Sequence, residues 1–273
     1  MKNIKIWKNT SVLNEFNEGL IFTDNKSIAD LILLGSRPID LHEFPNVQGI
    51  FRAGVGKDNV PVSECESKNI LIEYPSEETA LVLFEETANY TVSLALRMSY
   101  PTPNISLPWD KVYRKSLNKK NALIIGLGNI GSRVKNKLET LMQVNTYDVA
   151  FNKADELEPL IREANIISLH IPNSSENNNF FDKEKLSWMN EGSILINTAR
   201  ANLVNEDSLY RELEKGRIKA AFDVFWQEPY EGKLNEFYPD RFYMSPHIAG
   251  YTDSFLLGCR KALDDLISDL SND

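Results

Sequence analysis

Apolar and polar positions follow a regular strand and helix rhythm beyond residue 121. Short apolar runs recur there, and stretches with helical spacing separate most of them. Six runs are predicted to be strands: Ala122–Ile125, Val144–Tyr147, Ile166–His170, Ser193–Asn197, Ala220–Val224 and Phe242–Ser245. Repeated alternation of strands and helices is typical of a parallel sheet with helices on both faces. We therefore predict an α/β fold with a Rossmann doubly wound sheet in this part of the chain.

Three helices have identifiable limits in the sequence. The segment Glu77–Met98 has no glycine or proline and spaces its apolar side chains three to four residues apart, which predicts a long, largely buried helix. A second helix is predicted between Asn205, which can cap the first turn, and Gly216, which can adopt the left-handed stop. The amphipathic segment Ser254–Leu270 is predicted to pack on the first domain.

The N-terminal part of the chain has the pattern of a second α/β unit. Two apolar runs, Leu31–Leu34 and Val47–Phe51, are separated by glycine- and proline-containing turns. A proline-rich crossing, residues 100–111, then leads into the strand, glycine turn and helix pattern. We predict a Rossmann domain at residues 93–250, inserted into a smaller, flavodoxin-like α/β substrate domain formed by residues 1–92 and 251–273.

Composition narrows the classes of function. A content of 42% apolar and 25% charged residues is that of a globular protein with a real core. The formal net charge of −9 argues against general binding to nucleic acid or to an anionic membrane. The two cysteines, Cys65 and Cys259, suggest neither a disulfide framework nor a zinc site, and no apolar run has the length of a membrane span. We expect a cytoplasmic protein that binds no metal, no nucleic acid and no membrane.

A glycine pattern, Gly126-Leu-Gly128-Asn-Ile-Gly131, stands between a predicted strand and a predicted helix. Gly126 permits the tight turn, Gly128 lets backbone amides approach a pyrophosphate, and Gly131 allows close packing of the helix on the sheet. With Asn129 and Ile130, these residues are predicted to bind a dinucleotide. Taken alone, the same pattern also fits an ordinary glycine turn.

An acidic residue strengthens the dinucleotide interpretation. Asp148 ends the next predicted strand, roughly 20 residues after the first glycine, where a ribose-binding carboxylate is expected. A carboxylate there accepts hydrogen bonds from the ribose hydroxyls and repels a 2′-phosphate, which favours NAD(H) over NADP(H). The alternatives are a solvated aspartate at a strand end and, because Lys153 and Arg133 are close in sequence, NADP(H).

Three further blocks follow the glycine pattern: Asn197-Thr-Ala-Arg200, Phe222-Asp-Val-Phe-Trp-Gln-Glu228-Pro229 and Ser245-Pro-His247-Ile-Ala-Gly250. In this combination and order, the chain resembles the D-isomer-specific 2-hydroxyacid dehydrogenases, with motifs most similar to those of D-3-phosphoglycerate dehydrogenase-like members. The resemblance covers roughly residues 53–261. It implies that His247 is the acid/base, that Glu228 is its partner and that Arg200 anchors the substrate.

The chemistry of these three side chains agrees with that assignment. Reduction of a 2-oxo acid needs a cation for the carboxylate, a hydride donor and an acid for the new alkoxide. Arg200 offers a planar fork, and the imidazole of His247 can exchange a proton near neutral pH. The carboxylate of Glu228 can hold the far ring nitrogen. Each residue also has an ordinary alternative, as a surface arginine, a structural histidine or a turn glutamate.

The resemblance implies further cofactor contacts. Asp223 is predicted inside an apolar strand, where an unpaired charge is costly, so it needs a hydrogen-bond donor. In the family this position meets the nicotinamide carboxamide. Four other positions resemble cofactor contacts, with ordinary packing at strand ends as the alternative: His170, Pro172, Thr198 and Ala199.

The segment Arg52-Ala-Gly54-Val55-Gly56 resembles the family's loop that offers backbone amides to the substrate carboxylate, in a form typical of phosphoglycerate dehydrogenases. Arg52 is then placed to receive a distal phosphate or carboxylate, although a surface salt bridge is equally consistent. Two departures limit the substrate prediction. Glu77 and Glu78 place negative charge where it would repel an anionic tail of the substrate. The Gly-x-Trp pattern with which the family approaches the nucleotide domain is reduced to Pro108-Trp109.

We therefore predict an NAD-dependent oxidoreductase that moves a hydride between nicotinamide and a small D-2-hydroxy or 2-oxo acid, with a phosphoglycerate-like substrate as one candidate. The alternatives are a glyoxylate or hydroxypyruvate reductase, an enzyme for an unusual acid, and a protein on this fold that senses NAD without catalysis. The resemblance implies a homodimer formed through the nucleotide domains.

Overall fold

The computed structural model describes residues 3–100, 111 and 113–272. The chain forms two compact units. The first unit combines Met1–Leu83 with Tyr251–Asp273, and the second unit is Phe84–Gly250. The sequence predicts substrate binding by residues 1–92 with 251–273 and cofactor binding by residues 93–250. This assignment stays a prediction. Most of the predicted crossing, including Pro108 and Trp109, lies outside the described residues.

The first unit is built on a five-stranded parallel sheet in the order β2-β1-β3-β4-β5. Its strands are β1 Lys5–Lys8, β2 Ile21–Phe22, β3 Leu31–Leu34, β4 Gly49–Arg52 and β5 Leu71–Glu73, and a short helix, α1, spans Val62–Ser67. All four residues of β3 are buried, as expected for a parallel strand that is covered on both faces. The strand order is that of flavodoxin-like folds, as predicted.

The C-terminal helix belongs to this first unit. It is the seventh α-helix among the described residues, α7, and spans Asp253–Asn272. Its apolar face joins a buried cluster with strand residues, formed by Ile6, Leu31, Leu33, Phe51, Phe255, Leu256, Leu263, Leu266 and Leu270. The approach is close, because a Cβ added at Gly49 would lie 3.0 Å from Cδ1 of Leu270. The predicted packing of this helix on the N-terminal part of the chain is confirmed.

The second unit contains a six-stranded parallel sheet in the order β11-β10-β9-β8-β6-β7. Its strands are β6 Asn121–Ile125, β7 Gln143–Tyr147, β8 Ile166–Leu169, β9 Ile194–Asn197, β10 Lys219–Phe222 and β11 Phe242–Met244. All six strands were predicted. The strand order reverses between β6 and β8, and in open α/β sheets ligands bind at the carboxyl ends of the strands at such a reversal.

The remaining helices are α2 Glu77–Ser99, α3 Asn129–Leu138, α4 Leu157–Glu163, α5 Lys183–Trp188 and α6 Glu206–Glu214. The limits predicted for α6 are confirmed, because the Asn205 side chain accepts a hydrogen bond from the Ser208 amide and Gly216 has a φ of +69°. No helix among the described residues has the length and apolarity needed to cross a membrane.

Candidate active site

The glycine turn after β6 depends on two positions without a side chain. Gly126 has a φ of +92°, and a Cβ added there would lie 2.5 Å from the carbonyl oxygen of His170. A Cβ added at Gly131 would collide with the carbonyl oxygen of Gly126. These two glycines therefore let the first turn of α3 pack closely against the ends of β6 and β8.

The third glycine has a different environment. A Cβ added at Gly128 would meet no atom of the described chain within 4 Å. Helix α3 begins at the next residue, Asn129, and no described side chain caps it. The first-turn amides of Asn129, Ile130 and Gly131 therefore face an open cradle at the positive end of a helix. This donor set fits a pyrophosphate, as the glycine pattern predicts.

Asp148 follows the last residue of β7 and joins two loops. Its Oδ2 accepts a hydrogen bond from the Leu127 amide at 2.8 Å, and its Oδ1 accepts one from the Ala150 amide at 2.9 Å. The carboxylate thus holds the glycine turn against the neighbouring loop. Each carboxylate oxygen has a second lone pair that a ribose hydroxyl could use. The ribose contact itself stays a prediction.

Arg200 lies in a turn that Asn197 builds at the end of β9. The fully buried Asn197 side chain donates to the Arg200 carbonyl oxygen at 2.8 Å and accepts from the Ala199 amide at 3.0 Å. The Arg200 guanidinium donates from Nη1 to the Ala199 carbonyl oxygen at 2.8 Å. The role of Asn197 was missed in the sequence, where an asparagine at a strand end gives only a weak signal for a turn.

Glu228 and His247 come together although they lie far apart in the sequence. His247 Nδ1 is 3.0 Å from Oε1 and 3.1 Å from Oε2 of Glu228, and Oε1 also accepts the Phe225 amide at 3.2 Å. A carboxylate at Nδ1 fixes the orientation of the ring. This arrangement leaves Nε2 as the ring atom that can exchange a proton with a substrate. The structure therefore brings the two side chains together, and their acid/base roles stay a prediction.

A buried carboxylate organises the loop that carries His247. Asp223 has 0% exposure and accepts hydrogen bonds from Ser245 Oγ at 2.6 Å, the Ile248 amide at 2.9 Å and the Ala249 amide at 2.8 Å. Burial raises the pKa of Asp223 above its ordinary value. The prediction that Asp223 lies inside a strand was wrong, because β10 ends at Phe222 and the next side chain turns to these donors. The predicted nicotinamide contact stays a prediction.

Other predicted cofactor positions lie at the ends of the adjacent strands. His170 follows β8, and its Nε2 is 2.8 Å from Ser168 Oγ. Desolvation lowers the pKa of His170 to about 3, so the ring is neutral at physiological pH. The Pro172 carbonyl oxygen accepts from Asn177 Nδ2 at 2.9 Å. Thr198 is buried, and its hydroxyl lies 2.8 Å from that of Thr91 on α2.

A cavity of about 500 Å³ lies beside Glu228 and was not predicted. Glu228 forms part of its wall, together with Asn235 and the rings of Phe225, Tyr230 and Tyr238. Pro229, Met244 and Pro246 also line it, so the wall to which Glu228 belongs is mostly apolar. No sequence pattern predicts this cavity, because its wall comes from several loops.

The predicted substrate loop of the first unit is held by Arg52, the last residue of β4. Arg52 is only 5% exposed, and its Nε donates to the Gly56 carbonyl oxygen at 3.0 Å and to Asn59 Oδ1 at 3.1 Å. A Cβ added at Gly54 would lie 2.5 Å from Arg52 Nη1. Val55 and Gly56 are half-buried. The guanidinium thus supports its own loop, and Asn59, which was missed, extends this support by donating to the Gly35 carbonyl oxygen at 2.7 Å.

Residues 106–249 match the family described as D-isomer specific 2-hydroxyacid dehydrogenase, NAD binding domain. This match covers more than half of the chain. The chain belongs to the D-isomer-specific 2-hydroxyacid dehydrogenase family. The glycine turn, Arg200, Glu228 and His247 all lie within the matched residues.

Individual members of the family show how far the similarity extends. A hydroxypyruvate reductase from Thermotoga maritima is 29% identical over 256 residues, which is 88% of this chain and 80% of the relative. A D-3-phosphoglycerate dehydrogenase from Synechocystis is 32% identical over 221 residues, which is 75% of this chain but only 39% of the relative. The chain thus spans less than half of that phosphoglycerate dehydrogenase.

A solved structure shows the same fold. The D-lactate dehydrogenase from Aquifex aeolicus, in complex with NAD and lactic acid, has a TM-score of 0.79 and 24% identity, covering 98% of this chain and 95% of its own. Together these findings confirm the predicted α/β fold, the family, NAD(H) as the cofactor and the class of oxidoreductase. The predicted cytoplasmic location, the homodimer and the roles of single residues stay predictions.

Proposed function

We propose that the chain catalyses the NAD(H)-dependent interconversion of a small 2-oxo acid and a D-2-hydroxy acid. The observation that carries the proposal is the Glu228 and His247 pair, with both carboxylate oxygens within 3.1 Å of the imidazole Nδ1. An imidazole held in this way can give a proton from Nε2 and take it back. Arg200, on the neighbouring strand end, supplies the cation that a carboxylate substrate requires.

In the reducing direction, each side chain has one task. Bound NADH supplies the hydride for the carbonyl carbon. Arg200 holds the substrate carboxylate and polarises the adjacent carbonyl group. The imidazolium of His247 protonates the developing alkoxide from Nε2, and Glu228 stabilises the imidazolium before that transfer. The reverse reaction uses the same groups in the opposite order, with His247 as the base.

The substrate proposed here is a 2-oxo acid without a charged tail, such as hydroxypyruvate or glyoxylate. Arg52 was predicted to receive a distal phosphate, but it is 5% exposed and donates to Gly56 and Asn59 of its own loop. A buried guanidinium with such partners is a support for the loop rather than a contact for a mobile phosphate. The relative that aligns with 88% of the chain is named a hydroxypyruvate reductase, which agrees with this choice.

The test of the substrate class is NADH oxidation with hydroxypyruvate, glyoxylate, pyruvate, 2-oxoglutarate and 3-phosphohydroxypyruvate. We expect kcat/KM for hydroxypyruvate or glyoxylate to exceed that for the phosphorylated acid by about 10-fold or more. A preference for the phosphorylated acid would restore Arg52 as its anchor and overturn this choice. Tight NADH binding with no turnover of any acid would favour a protein that senses NAD instead.

Substituting lysine for Arg200 tests the substrate anchor. Lysine keeps the positive charge but loses the planar fork that can bind both carboxylate oxygens. We expect the Arg200→Lys variant to have a kcat/KM about 10- to 100-fold lower, with unchanged affinity for NADH. Steady-state kinetics and NADH fluorescence titration measure the two quantities. The variant Arg211→Lys, on the exposed face of α6, is the matched control, and a wild-type kcat/KM in Arg200→Lys would remove Arg200 from this role.

A further inference from the structure

Two aromatic side chains bracket Glu228 in the loop that follows β10. Trp226 lies two residues before Glu228, and Tyr230 lies two residues after it. Both are half-buried, and neither was predicted to have a role. The Phe225 amide of the same loop donates to Glu228 Oε1 at 3.2 Å, so the carboxylate follows the position of the loop.

The indole of Trp226 reaches the segment that begins at Arg200. Its Nε1 donates to the Val204 carbonyl oxygen at 3.1 Å. Val204 is fully buried and ends the short 3₁₀ turn Ala201–Leu203, which follows Arg200. A buried carbonyl oxygen needs a donor, and the indole N–H can only donate, so the bond satisfies both groups. The chain on the N-terminal side of Glu228 is therefore fastened to the Arg200 segment.

The phenol of Tyr230 reaches the same segment from the other side of Glu228. Its hydroxyl donates to Glu206 Oε1 at 2.6 Å and accepts the Leu234 amide at 3.2 Å. The direction is fixed, because an ionised carboxylate can only accept and an amide N–H can only donate. Burial and the Glu206 carboxylate raise the pKa of Tyr230, so the phenol keeps the proton that this bond needs. Glu206 begins α6, two residues after Val204.

Ring contacts support this loop, but they do not fix its orientation by themselves. The ring centroids of Phe225 and Tyr230 are 4.9 Å apart, and those of Trp226 and Tyr230 are 6.2 Å apart. Phe225, Glu228 and Tyr230 also border the cavity, so this side of the loop has less packing support than an enclosed loop. Apolar contacts tolerate sliding, whereas hydrogen bonds weaken steeply when their geometry changes. The two hydrogen bonds therefore set the orientation of the loop.

The segment that receives both bonds is held by contacts of its own. Asn197 fixes the backbone of Ala199 and Arg200, as described above. The Val204 amide donates to the Ala201 carbonyl oxygen at 3.0 Å. This segment can therefore keep its conformation without the two aromatic donors, so loss of either donor should displace the loop and not the arginine.

We propose that Trp226 and Tyr230 are positioning residues that fix Glu228, and through it the imidazole of His247, relative to Arg200. The indole fixes the loop on one side of Glu228, and the phenol fixes it on the other. The catalytic part of this inference rests on the proposed function, whereas the positional part rests on the hydrogen bonds alone. The two parts can therefore be tested separately.

Removing the two donors one at a time tests the catalytic part. Trp226→Phe keeps an aromatic ring but loses the indole N–H, and Tyr230→Phe loses only the hydroxyl. We expect each variant to lower kcat about 5-fold, because one hydrogen bond is lost from the loop that carries Glu228. The KM for the 2-oxo acid and the Kd for NADH should stay within about twofold of wild type, since Arg200 and the glycine turn keep their own contacts. Wild-type kcat in both variants would contradict the proposal.

Two variants of the same unit are matched controls. Trp188→Phe makes the same ring change on α5, where the Trp188 ring lies 5.7 Å from Lys185 Nζ. Tyr210→Phe removes a hydroxyl that donates to the exposed Glu214. Both controls should keep wild-type kcat. Losses in the controls as large as those in the test variants would show that the effect does not depend on the Glu228 loop, and would overturn the proposal.

Exchange of the acceptor tests whether Tyr230 acts through Glu206. Glu206→Gln keeps an oxygen that can accept from the hydroxyl, so this variant should keep most of kcat. Glu206→Leu removes the acceptor and should lower kcat about as much as Tyr230→Phe. The double variant with Tyr230→Phe and Glu206→Leu should lose no more than either single variant, because both changes break one bond. Additive losses in the double variant would contradict this route.

Nuclear magnetic resonance of protein labelled at histidine provides a readout that does not depend on turnover. The chain has three histidines, so the His247 ring can be assigned by comparison with His247→Asn. Its Nδ1 lies 3.0 Å from Glu228 Oε1, so a displaced loop changes the surroundings of the ring. We expect the ring resonances to shift in Trp226→Phe and Tyr230→Phe but not in the two controls.

Resonances of His247 that coincide with wild type in both test variants would overturn the proposal, even if kcat falls. If no 2-oxo acid is turned over by the wild-type protein, the proposed function fails. The same resonances then still decide whether Trp226 and Tyr230 position the loop.

Discussion

Substituting asparagine for His247 is expected to lower kcat by about 10²- to 10⁴-fold, the range that a positioned acid/base contributes. Asparagine tolerates the left-handed φ of +55° at this position better than alanine does, so the loop should keep its conformation. The side-chain amide of asparagine cannot donate a proton to an alkoxide as an imidazolium does. Steady-state kinetics with the preferred 2-oxo acid measure the loss, and NADH titration should show unchanged affinity.

The control for this substitution is His42→Asn. His42 is exposed in the first unit and has no role in the proposed chemistry, so this variant should match wild type in kcat. Glu228→Gln should reproduce a large part of the His247→Asn loss, because a neutral amide at Nδ1 no longer stabilises the imidazolium. Turnover near the wild-type rate in His247→Asn would exclude His247 as the acid/base.

The sequence predicted the second unit better than the first. Each strand of the second sheet is a buried apolar run with a helix or turn on either side, and such runs are the signal that a parallel sheet leaves in a sequence. Strands β1, β2 and β5 were missed. Strand β2 has only two residues, and β1 and β5 mix exposed charged residues with apolar ones, so none of them forms a continuous apolar run.

The chemical groups of the candidate site were predicted, but the contacts that hold them were not. Glu228 and His247 were paired because their sequence blocks resemble a family in which they act together. The links through Ser245 and Asp223, and through Arg52 and Asn59, join residues whose identities and spacing follow no period. Asp223 shows the same limit, since its need for donors was predicted while its position beyond the strand was not.

The glycine turn offers a way to separate folding from cofactor binding. A Cβ at Gly131 would collide with a backbone carbonyl oxygen, so Gly131→Ala forces α3 away from the end of β6. A Cβ at Gly128 meets no described atom within 4 Å and needs no left-handed φ, so the protein alone can accept alanine there. The cost at Gly128 falls on the ligand, because the methyl group occupies the space through which a pyrophosphate approaches the first-turn amides.

Gly128→Ala is therefore expected to raise the Kd for NADH about 10- to 100-fold, with Tm within about 2 °C of wild type. Gly131→Ala should also weaken NADH binding, but it should lower Tm by about 5 °C or more because backbone atoms must shift. Thermal unfolding without ligand and NADH fluorescence titration measure the two effects on the same samples. Wild-type affinity in Gly128→Ala would show that the pyrophosphate does not approach these amides, whereas a wild-type Tm in Gly131→Ala would show that α3 accommodates the added methyl group without strain.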